Sequence, residues 1–245
     1  MAARERRCRG QGGDGHGPPS RKISEPGVAE FAADRTRALA LTPVSRETEA
    51  RIDRFIALLL DWQGRINLIA ASTESNLWTR HVADSLQLLA LAPQARRWVD
   101  LGSGGGFPGL VIACALGETK GAEVHLVESN AKKAAFLREA ARATGAPAAM
   151  VHAARIEDFV DNAPAGIEVV TARALAPLAD LLDSAYPLLQ RGAVGLFPKG
   201  KTAAGELTDV GKRWKIRASL EVSRTDPEAR IVLVRALEPK SGGGA

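Results

Sequence analysis

A glycine-rich run that follows one acidic residue carries the clearest chemistry in the sequence. The run DLGSGGGFPG starts at Asp100, directly after a short apolar segment. Gly102, Gly104 and Gly106 allow the main chain to turn with positive φ and to approach a ligand closely. Pro108 suits the first turn of a helix, whose free N–H groups and positive dipole end attract polar ligands. The pattern predicts a ligand-binding loop.

A second acidic residue, Glu128, ends the next apolar segment, some 26 residues beyond Gly102. A carboxylate at this place can accept both hydroxyl groups of an adenosine ribose. Glycine spacing alone is weak evidence for a nucleotide site. The loop, the helix after it and Glu128 together favour nucleotide-type binding. Residues 104–109 also fit G-x-G-x-x-G, so a nicotinamide-dependent oxidoreductase stands as the alternative.

The residues around the loop favour S-adenosylmethionine over a dinucleotide. Asp100 would repel a pyrophosphate, whereas it suits an ammonium group. The sequence also shows no His, Arg and Asp set of the kind with which dehydrogenases handle a substrate. S-Adenosylmethionine carries an ammonium, a carboxylate and a ribose but no phosphate. Asp100, the loop amides and Glu128 match these three groups in that order.

Hydrophobic periodicity predicts the elements that position these residues. Short apolar strands alternate with helices from residue 97 onward, which is typical of an open, doubly wound, mostly parallel α/β sheet. We expect its antiparallel strand at the edge, and ligands at the carboxyl ends of the strands. Predicted strands cover residues 98–101, 123–127, 148–152, 168–171, 194–197, 216–222 and 230–236. Predicted helices between them cover residues 109–116, 131–144, 178–190 and 202–211.

Two further helices are predicted before the sheet. Apolar residues from Ile52 to Leu60 follow helical spacing, with Ser45 as the N-cap. A second helix is predicted from Ser75 to about Leu91, where Pro93 stops it.

Four segments follow from these patterns. Residues 1–27 are rich in Gly, Pro and Arg, and we expect a disordered basic tail there. Residues 28–96 are expected to form an N-terminal helical lobe, and residues 97–240 the cofactor-binding domain. Residues 241–245 are expected to be frayed.

Composition excludes several classes of protein. The 245 residues are 45% hydrophobic and 25% charged, which suits a folded chain of ordinary size. Cys8 and Cys114 lack metal or redox spacing, which argues against a disulfide framework and a cysteine-ligated zinc site. No run is apolar for long enough to cross a membrane. The arginine-rich start has no apolar stretch behind it, as a secretory signal would. We therefore expect a cytoplasmic protein.

The net charge of +5 is concentrated in two segments. Residues 1–25 carry six Lys or Arg against three acidic residues, and residues 191–220 carry seven against two. A charge run is usually a solvated face, but a localised basic patch also suits a phosphate-bearing partner. Its basic residues are Arg191, Lys199, Lys201, Lys212, Arg213, Lys215 and Arg217.

Several motifs together resemble a known family. The runs RHVADSLQLL, DLGSGGGFPGL, VESNAKKAAFL, ARIEDF, TARALAPL and PKGK occur in unbroken order within about residues 28–240. They resemble the glucose-inhibited division protein B family, the bacterial small-subunit rRNA guanine-N7 methyltransferases. Family members often have Ala at the position of Gly105, and this difference does not weaken the resemblance.

The resemblance implies a class I methyltransferase (Rossmann-like) fold with a seven-stranded sheet and S-adenosylmethionine as methyl donor. The implied substrate is one guanine in the decoding-region loop of 16S rRNA, as free rRNA or within the small ribosomal subunit. With rRNA as the implied substrate, we hypothesise that the basic residues within residues 191–220 contact rRNA phosphates. We expect a monomer that binds neither DNA nor a membrane.

The resemblance also implies site residues, motif by motif. Gly102 and Phe107 would contact the cofactor. Ile156 and Glu157 would flank the adenine, and Arg173 would line the reaction site.

The residues themselves agree with methylation at guanine N7. Amino-group methylation usually uses Asn/Asp-Pro-Pro-aromatic after the fourth strand, where this chain has TARA. Methylation of pyrimidine C5 needs a cysteine nucleophile, and neither cysteine is well placed. Guanine N7 has a free lone pair, so transfer needs positioning rather than a general base. We expect Arg173 to contact guanine O6 only, because gripping N7 as well would block the reaction.

Arg80, His81 and Asp84 form another polar cluster. The favoured interpretation is a brace between lobe and sheet, with Asp84 pairing with Arg80 at i+4. Alternatively, Arg80 and His81 shape the RNA or methionine side of the pocket. A ribosome-associated protein that kept the fold without activity is a third possibility, but the intact loop, Glu128 and Arg173 argue against it.

Overall fold

A seven-stranded sheet with the strand order β3-β2-β1-β4-β5-β7-β6 organises the computed structural model, which describes residues 25–240. The strands are β1 (Arg97–Leu101), β2 (Glu123–Val127), β3 (Ala149–His152), β4 (Val169–Thr171), β5 (Val194–Lys199), β6 (Trp214–Val222) and β7 (Arg230–Pro239). The helices are α1 (Glu25–Leu41), α2 (Arg46–Gln63), α3 (Asp84–Leu91), α4 (Gly109–Ala115), α5 (Ala131–Thr144), α6 (Ile156–Asp161), α7 (Leu178–Gln190) and α8 (Ala203–Arg213). None of these helices is long and apolar enough to cross a membrane.

The predicted doubly wound α/β fold is confirmed, with one correction to its edge. The strands β1 to β5 are parallel, and β7 pairs antiparallel with both β5 and β6. The antiparallel strand is therefore the penultimate one, because the β6–β7 hairpin folds back and inserts β7 beside β5. Neighbouring residues of the central strands face opposite layers, and both layers are covered by helices.

The helices before the sheet share a core with it. Helices α2, α4 and α5 cover one face of the sheet, and α6, α7 and α8 cover the other. Phe55 of α2 packs against Phe107 of the glycine-rich loop and Phe136 of α5, with ring centroids 5.1 and 6.3 Å apart. The lobe thereby forms one wall of the same hydrophobic core. The predicted N-cap Ser45 accepts the N–H of Thr48 at 3.2 Å.

The predicted tail ends earlier than expected. Helix α1 begins at Glu25, so residues 25–27 are helical, whereas residues 1–24 and 241–245 lie outside the described part. Helix α1 was not predicted, because its apolar face is weak. It is fixed by Asp34, a buried carboxylate that accepts the N–H groups of Trp78 (2.8 Å) and Thr79 (3.1 Å). This long-range cap has no local signal in the sequence.

The predicted helix over residues 75–91 is interrupted. A 3₁₀ turn covers Ala71–Thr73, and a π-helical turn over Trp78–Ala83 leads into α3. A π-turn inserts an extra residue and re-aims the side chains that follow it, which is common at functional sites. It buries Trp78 in the core and His81 beside the glycine-rich loop.

Candidate active site

A cavity of about 780 Å³ opens at the carboxyl edge of the sheet, beside β1, β4 and β5. Its size is that of a small-molecule site. One side is formed by the glycine-rich loop, the end of β2 and the start of α6. The other side is formed by the π-turn, the turn after β4 and the loop between β6 and β7.

The glycine-rich loop is fastened to β2. The N–H groups of Gly102 and Ser103 both donate to Val127 O at 2.9 Å, and the N–H of Gly106 donates to Ser103 O at 2.7 Å. Gly102, Gly104 and Gly106 all have positive φ, as predicted. A Cβ on Gly104 would meet no atom closer than 3.7 Å, so the loop leaves open space there. These three amides are occupied within the protein, so the contact of loop amides with a methionine carboxylate stays a prediction for the other residues of the loop.

Glu128 lies on the cavity wall and is 8% exposed. Its Oε2 accepts the N–H of Gly104 at 2.9 Å, and its Oε1 accepts the N–H of Asn130 at 2.7 Å. A carboxylate oxygen has two lone pairs, so each oxygen can accept one further hydrogen bond. The position predicted for ribose recognition is therefore filled by a fixed carboxylate with acceptor capacity left.

Asp100 is not on the cavity wall, contrary to the predicted ammonium contact. It shares the face of β1 on which α4 packs, and its side chain is buried. Its Oδ2 accepts the N–H of Gly109 at 3.1 Å, and Oδ1 has no hydrogen-bond partner in the described structure. Burial raises the pKa of this carboxyl to about 6. Asp100 therefore holds the start of α4.

Of the residues implied for the adenine, only one reaches the cavity. Ile156, the first residue of α6, is on the wall, whereas Glu157 is exposed and lies off it. Consecutive helical residues point about 100° apart, and here that rotation turns the side chain of Glu157 to solvent. Phe107 does line the cavity, with its ring 4.9 Å from that of His81 and 5.4 Å from the Arg173 guanidinium.

Arg173 is held by the π-turn. Its Nη1 donates to Arg80 O at 3.0 Å, its Nη2 donates to His81 Nδ1, and Nη1 lies 3.7 Å from Asp84 Oδ2. Burial lowers the pKa of Arg173, and Asp84 opposes that shift. The guanidinium is thus oriented at the cavity wall by groups that come from the helical lobe.

His81 is neutral in this arrangement. Arg173 can only donate, so Nδ1 must be unprotonated, and Nε2 carries the hydrogen and donates to Thr73 Oγ1 at 2.8 Å. Burial, together with the charges of Arg173 and Arg80, lowers the pKa of His81 to about 3. The hydroxyl of Thr73 in turn donates to Ala70 O at 2.7 Å.

The predicted pair between Arg80 and Asp84 is not formed. Arg80 Nη1 bonds Asp226 Oδ2 at 3.0 Å, across the cavity edge. Asp84 Oδ1 accepts from Thr225 Oγ1 (2.8 Å) and Gln87 Nε2 (2.7 Å). The cluster ties the lobe to the β6–β7 loop and also lines the cavity, so the two interpretations of the sequence describe one structure.

Comparison with known proteins identifies the family. A family model described as GidB, rRNA small subunit methyltransferase G, matches residues 48–232. A ribosomal RNA small subunit methyltransferase G from Bradyrhizobium sp. (strain BTAi1) is 60% identical over 208 residues, which are 85% of this chain and 93% of the relative. One from Bradyrhizobium diazoefficiens is 56% identical over 236 residues, which are 94% of this chain and 90% of the relative. The chain belongs to the rRNA small subunit methyltransferase G family.

Solved structures share the fold of this family member at low identity. The O-methyltransferase TomG from Streptomyces achromogenes, in complex with SAM, has a TM-score of 0.55 and 15% identity, over 87% of this chain and 100% of that one. A Klebsiella pneumoniae protein described as an O-methyltransferase has a TM-score of 0.56 and 14% identity, over 86% and 100%. Family and fold confirm the class I, S-adenosylmethionine-dependent methyltransferase that the sequence predicts. The nicotinamide-dependent oxidoreductase has no support.

The basic C-terminal segment is divided by the sheet. Lys199 and Lys201 lie at the cavity edge, where Lys199 Nζ bonds Glu206 at 2.8 Å and Ala176 O at 3.0 Å. Arg213 and Lys215 lie at the opposite end of the sheet, because β6 starts there. Their partners, like that of Lys212, are carboxylates: Asp183 at 3.3 Å for Arg213, Glu238 at 3.1 Å for Lys215 and Asp209 at 2.7 Å for Lys212. Their distance from the cavity, more than these exposed ion pairs, argues against contacts with a substrate bound there.

Sequence reasoning missed several cavity residues. Thr225 and Asp226 lie in the β6–β7 loop, where the Asp-Pro pair signals a turn but not its place in the fold. Ala174 has a left-handed φ of +52° and projects Leu175, 41% exposed, over Gly102. At Gly105, a Cβ would lie 2.7 Å from the carbonyl oxygen of Leu68. An alanine at this position would therefore require the loop or the backbone at Leu68 to shift.

Proposed function

We propose that this chain transfers the methyl group of S-adenosylmethionine to N7 of one guanine in 16S rRNA. The observation that carries the choice of atom is the protonation pattern beside Arg173. His81 already accepts the Arg173 N–H, and Asp84 Oδ1 accepts two hydrogen bonds. Neither His81 Nδ1 nor Asp84 Oδ1 is open to a proton from the substrate, which suits N7 because no proton leaves before attack.

The residues of the cavity fit the cofactor. Glu128 has acceptor capacity for the two ribose hydroxyls, Gly104 leaves open space, and Ile156 offers an apolar surface for the adenine. When bound, S-adenosylmethionine supplies an electrophilic methyl group on its sulfonium. Phe107 packs between the cofactor side of the cavity and Arg173, and so sets the distance between the two sides.

Arg173 orients the base in this proposal. Its guanidinium has five N–H groups, and those that do not bond Arg80 O or His81 can donate to guanine O6. A contact with O6 alone fixes the ring while N7 stays free. Positioning of this kind can supply roughly 7–11 kcal/mol of the barrier.

Exposed cations around the cavity mouth offer an RNA-binding surface. Lys132, Arg155, Lys201 and Arg224 are exposed at the carboxyl edge, and have no ion-pair partner within residues 25–240. We assign the phosphate contacts to this rim rather than to the start of β6. The proposed enzyme acts as a monomer in the cytoplasm.

Methyl transfer from labelled S-adenosylmethionine tests the proposal. The acceptors are small ribosomal subunits from a strain that lacks the gene and, separately, deproteinised 16S rRNA. Nuclease digestion and mass spectrometry should find one new 7-methylguanosine. Methylation of the subunit alone would make the assembled particle the substrate. No incorporation with intact cofactor binding would reject the guanine assignment.

A further inference from the structure

The cavity wall opposite Glu128 presents an ion pair to solvent. Arg80 Nη1 and Asp226 Oδ2 are 3.0 Å apart, and the two side chains are 53% and 30% exposed. The carbonyl oxygen of Arg80 accepts from Arg173 Nη1 at 3.0 Å, so the pair is adjacent to the arginine at the reaction site. An exposed pair of this kind contributes little to stability.

Asp226 differs from the other carboxylates on that side of the cavity. Its Oδ1 accepts the N–H of Glu228 at 2.9 Å, its Oδ2 accepts from Arg80 at 3.0 Å, and the N–H of Ala229 interacts with the carboxylate more weakly. Acceptor capacity remains on the two oxygens. Asp84 is 18% exposed and has two donors on Oδ1. Glu206 has three donors, which are Lys199, the N–H of Leu178 and Thr202. Of these three carboxylates on the substrate side of the cavity, Asp226 is therefore the one most open to a new donor.

The loop that carries Asp226 is fixed before any ligand binds. Gln87 Oε1 accepts the N–H of Arg224 at 2.8 Å, and Thr225 Oγ1 donates to Asp84 at 2.8 Å. Both contacts tie the loop to α3. A carboxylate held in this way is preorganised, which is what a recognition group requires.

We propose that Arg80 and Asp226 read the Watson–Crick edge of the substrate guanine. The pair presents a donor beside two acceptors, and that edge of guanine presents O6, N1–H and N2–H, an acceptor beside two donors. Adenine and cytosine would place a donor against Arg80. Guanine O6 has two lone pairs, so Arg80 takes one and leaves the other to Arg173. The inference rests on the proposed function, and it leaves N7, on the other edge, free to react.

Inosine in place of the target guanosine tests this assignment, because inosine lacks only the N2 amino group. Small subunits are reconstituted with ligated 16S rRNA that carries either nucleoside. The wild-type protein should show a kcat/KM about 10-fold to 100-fold lower on inosine. Asp226→Ala should lower the guanosine value by a similar factor and bring the ratio of the two substrates close to one. A guanosine-to-inosine ratio that falls to one when Asp226 is removed shows that Asp226 contacts the N2 amino group directly.

Asp183→Ala is the matched control. Asp183 pairs with Arg213 at 3.3 Å with comparable exposure, away from the cavity, and its loss should leave the ratio unchanged. If Asp226→Ala lowers kcat/KM equally on the guanosine and inosine substrates, Asp226 only braces its loop and the inference is overturned. A wild-type enzyme that does not distinguish the substrates overturns it as well. Absence of 7-methylguanosine from wild-type reactions on guanosine RNA would instead reject the proposed function, and the inference with it.

Discussion

The two sides of the cavity are built from contacts between residues at very different separations along the chain. Glu128 bonds residues 2 and 24 positions away in the chain. Arg173 bonds residues 92 and 93 positions away, and Arg80 bonds Asp226 at a separation of 146. The cofactor side is therefore one strand–loop–strand unit, whereas the substrate side exists only where lobe, β4 turn and β6–β7 loop meet.

This difference separates the effects that substitutions should have. A change on the cofactor side removes groups that bind the cofactor and leaves the lobe in place. A change on the substrate side disturbs the orientation of Arg173 and should alter the reaction with little effect on cofactor affinity.

The largest effect is expected for Glu128→Ala. Hydrogen bonds to a charged group contribute about 1.5–3 kcal/mol each, so loss of two ribose contacts should weaken cofactor binding by roughly 100-fold or more. Isothermal titration with S-adenosylhomocysteine measures it, and circular dichroism checks the fold. Glu157→Ala, an exposed glutamate off the cavity wall, is the control and should bind normally. An affinity of Glu128→Ala within a few-fold of wild type would contradict the ribose assignment.

Arg173→Lys is expected to lower kcat by about 100-fold. A lysine keeps the charge, but its single ammonium cannot bond Arg80 O and His81 Nδ1 in the geometry of a planar guanidinium. The dissociation constant of the cofactor should stay within a few-fold, because Glu128 is untouched. Single-turnover methylation together with titration separates the two quantities. A large loss of cofactor affinity at unchanged kcat would move Arg173 to the cofactor side.

His81 should make stability depend on pH. Its pKa is about 3 in the folded protein and near 6.5 when unfolded, so the unfolded chain binds more protons below pH 6.5. The stabilising effect of the neutral ring is present above that pH and is lost as the pH falls. Between about pH 7 and 5, the wild type should lose up to about 2 kcal/mol more free energy of unfolding than His81→Gln. Denaturant unfolding at both pH values measures this, and equal losses would mean that His81 is protonated in the native state.

The smallest effect is expected for the exposed cations. Replacing Lys132, Lys201 and Arg224 with Ala should weaken RNA binding roughly ten-fold, and should lower the salt dependence by about 0.7–0.9 per lost phosphate contact. The matched triple replacement of Lys212, Arg213 and Lys215, which are ion-paired at the far end of the sheet, should change neither. Filter binding at several salt concentrations measures the RNA affinity of both triple variants and its salt dependence. The opposite ranking would restore the C-terminal segment as the RNA-binding surface.

The shape of the glycine-rich loop and the place of Glu128 beside it could be predicted because their signals are local. Glycines that require positive φ, a helix after the loop and a carboxylate at the end of the next strand each occur within a short stretch. Asp100 was assigned wrongly for a related reason. Its place before the loop is a local fact, but whether it faces the cavity or α4 depends on which face of β1 the helix covers.

The sequence by itself determined the strand–helix alternation, the glycine-rich loop, Glu128 and, through its motifs, the family. Only the tertiary structure decided that Arg80 bonds Asp226 rather than Asp84, that Asp34 fixes α1, and that Arg213 and Lys215 lie far from the cavity. Periodicity and turn signals depend on residues a few positions apart, so they can be recognised in the linear sequence. Pairing between side chains more than ninety positions apart depends on how the layers pack, which no local pattern encodes.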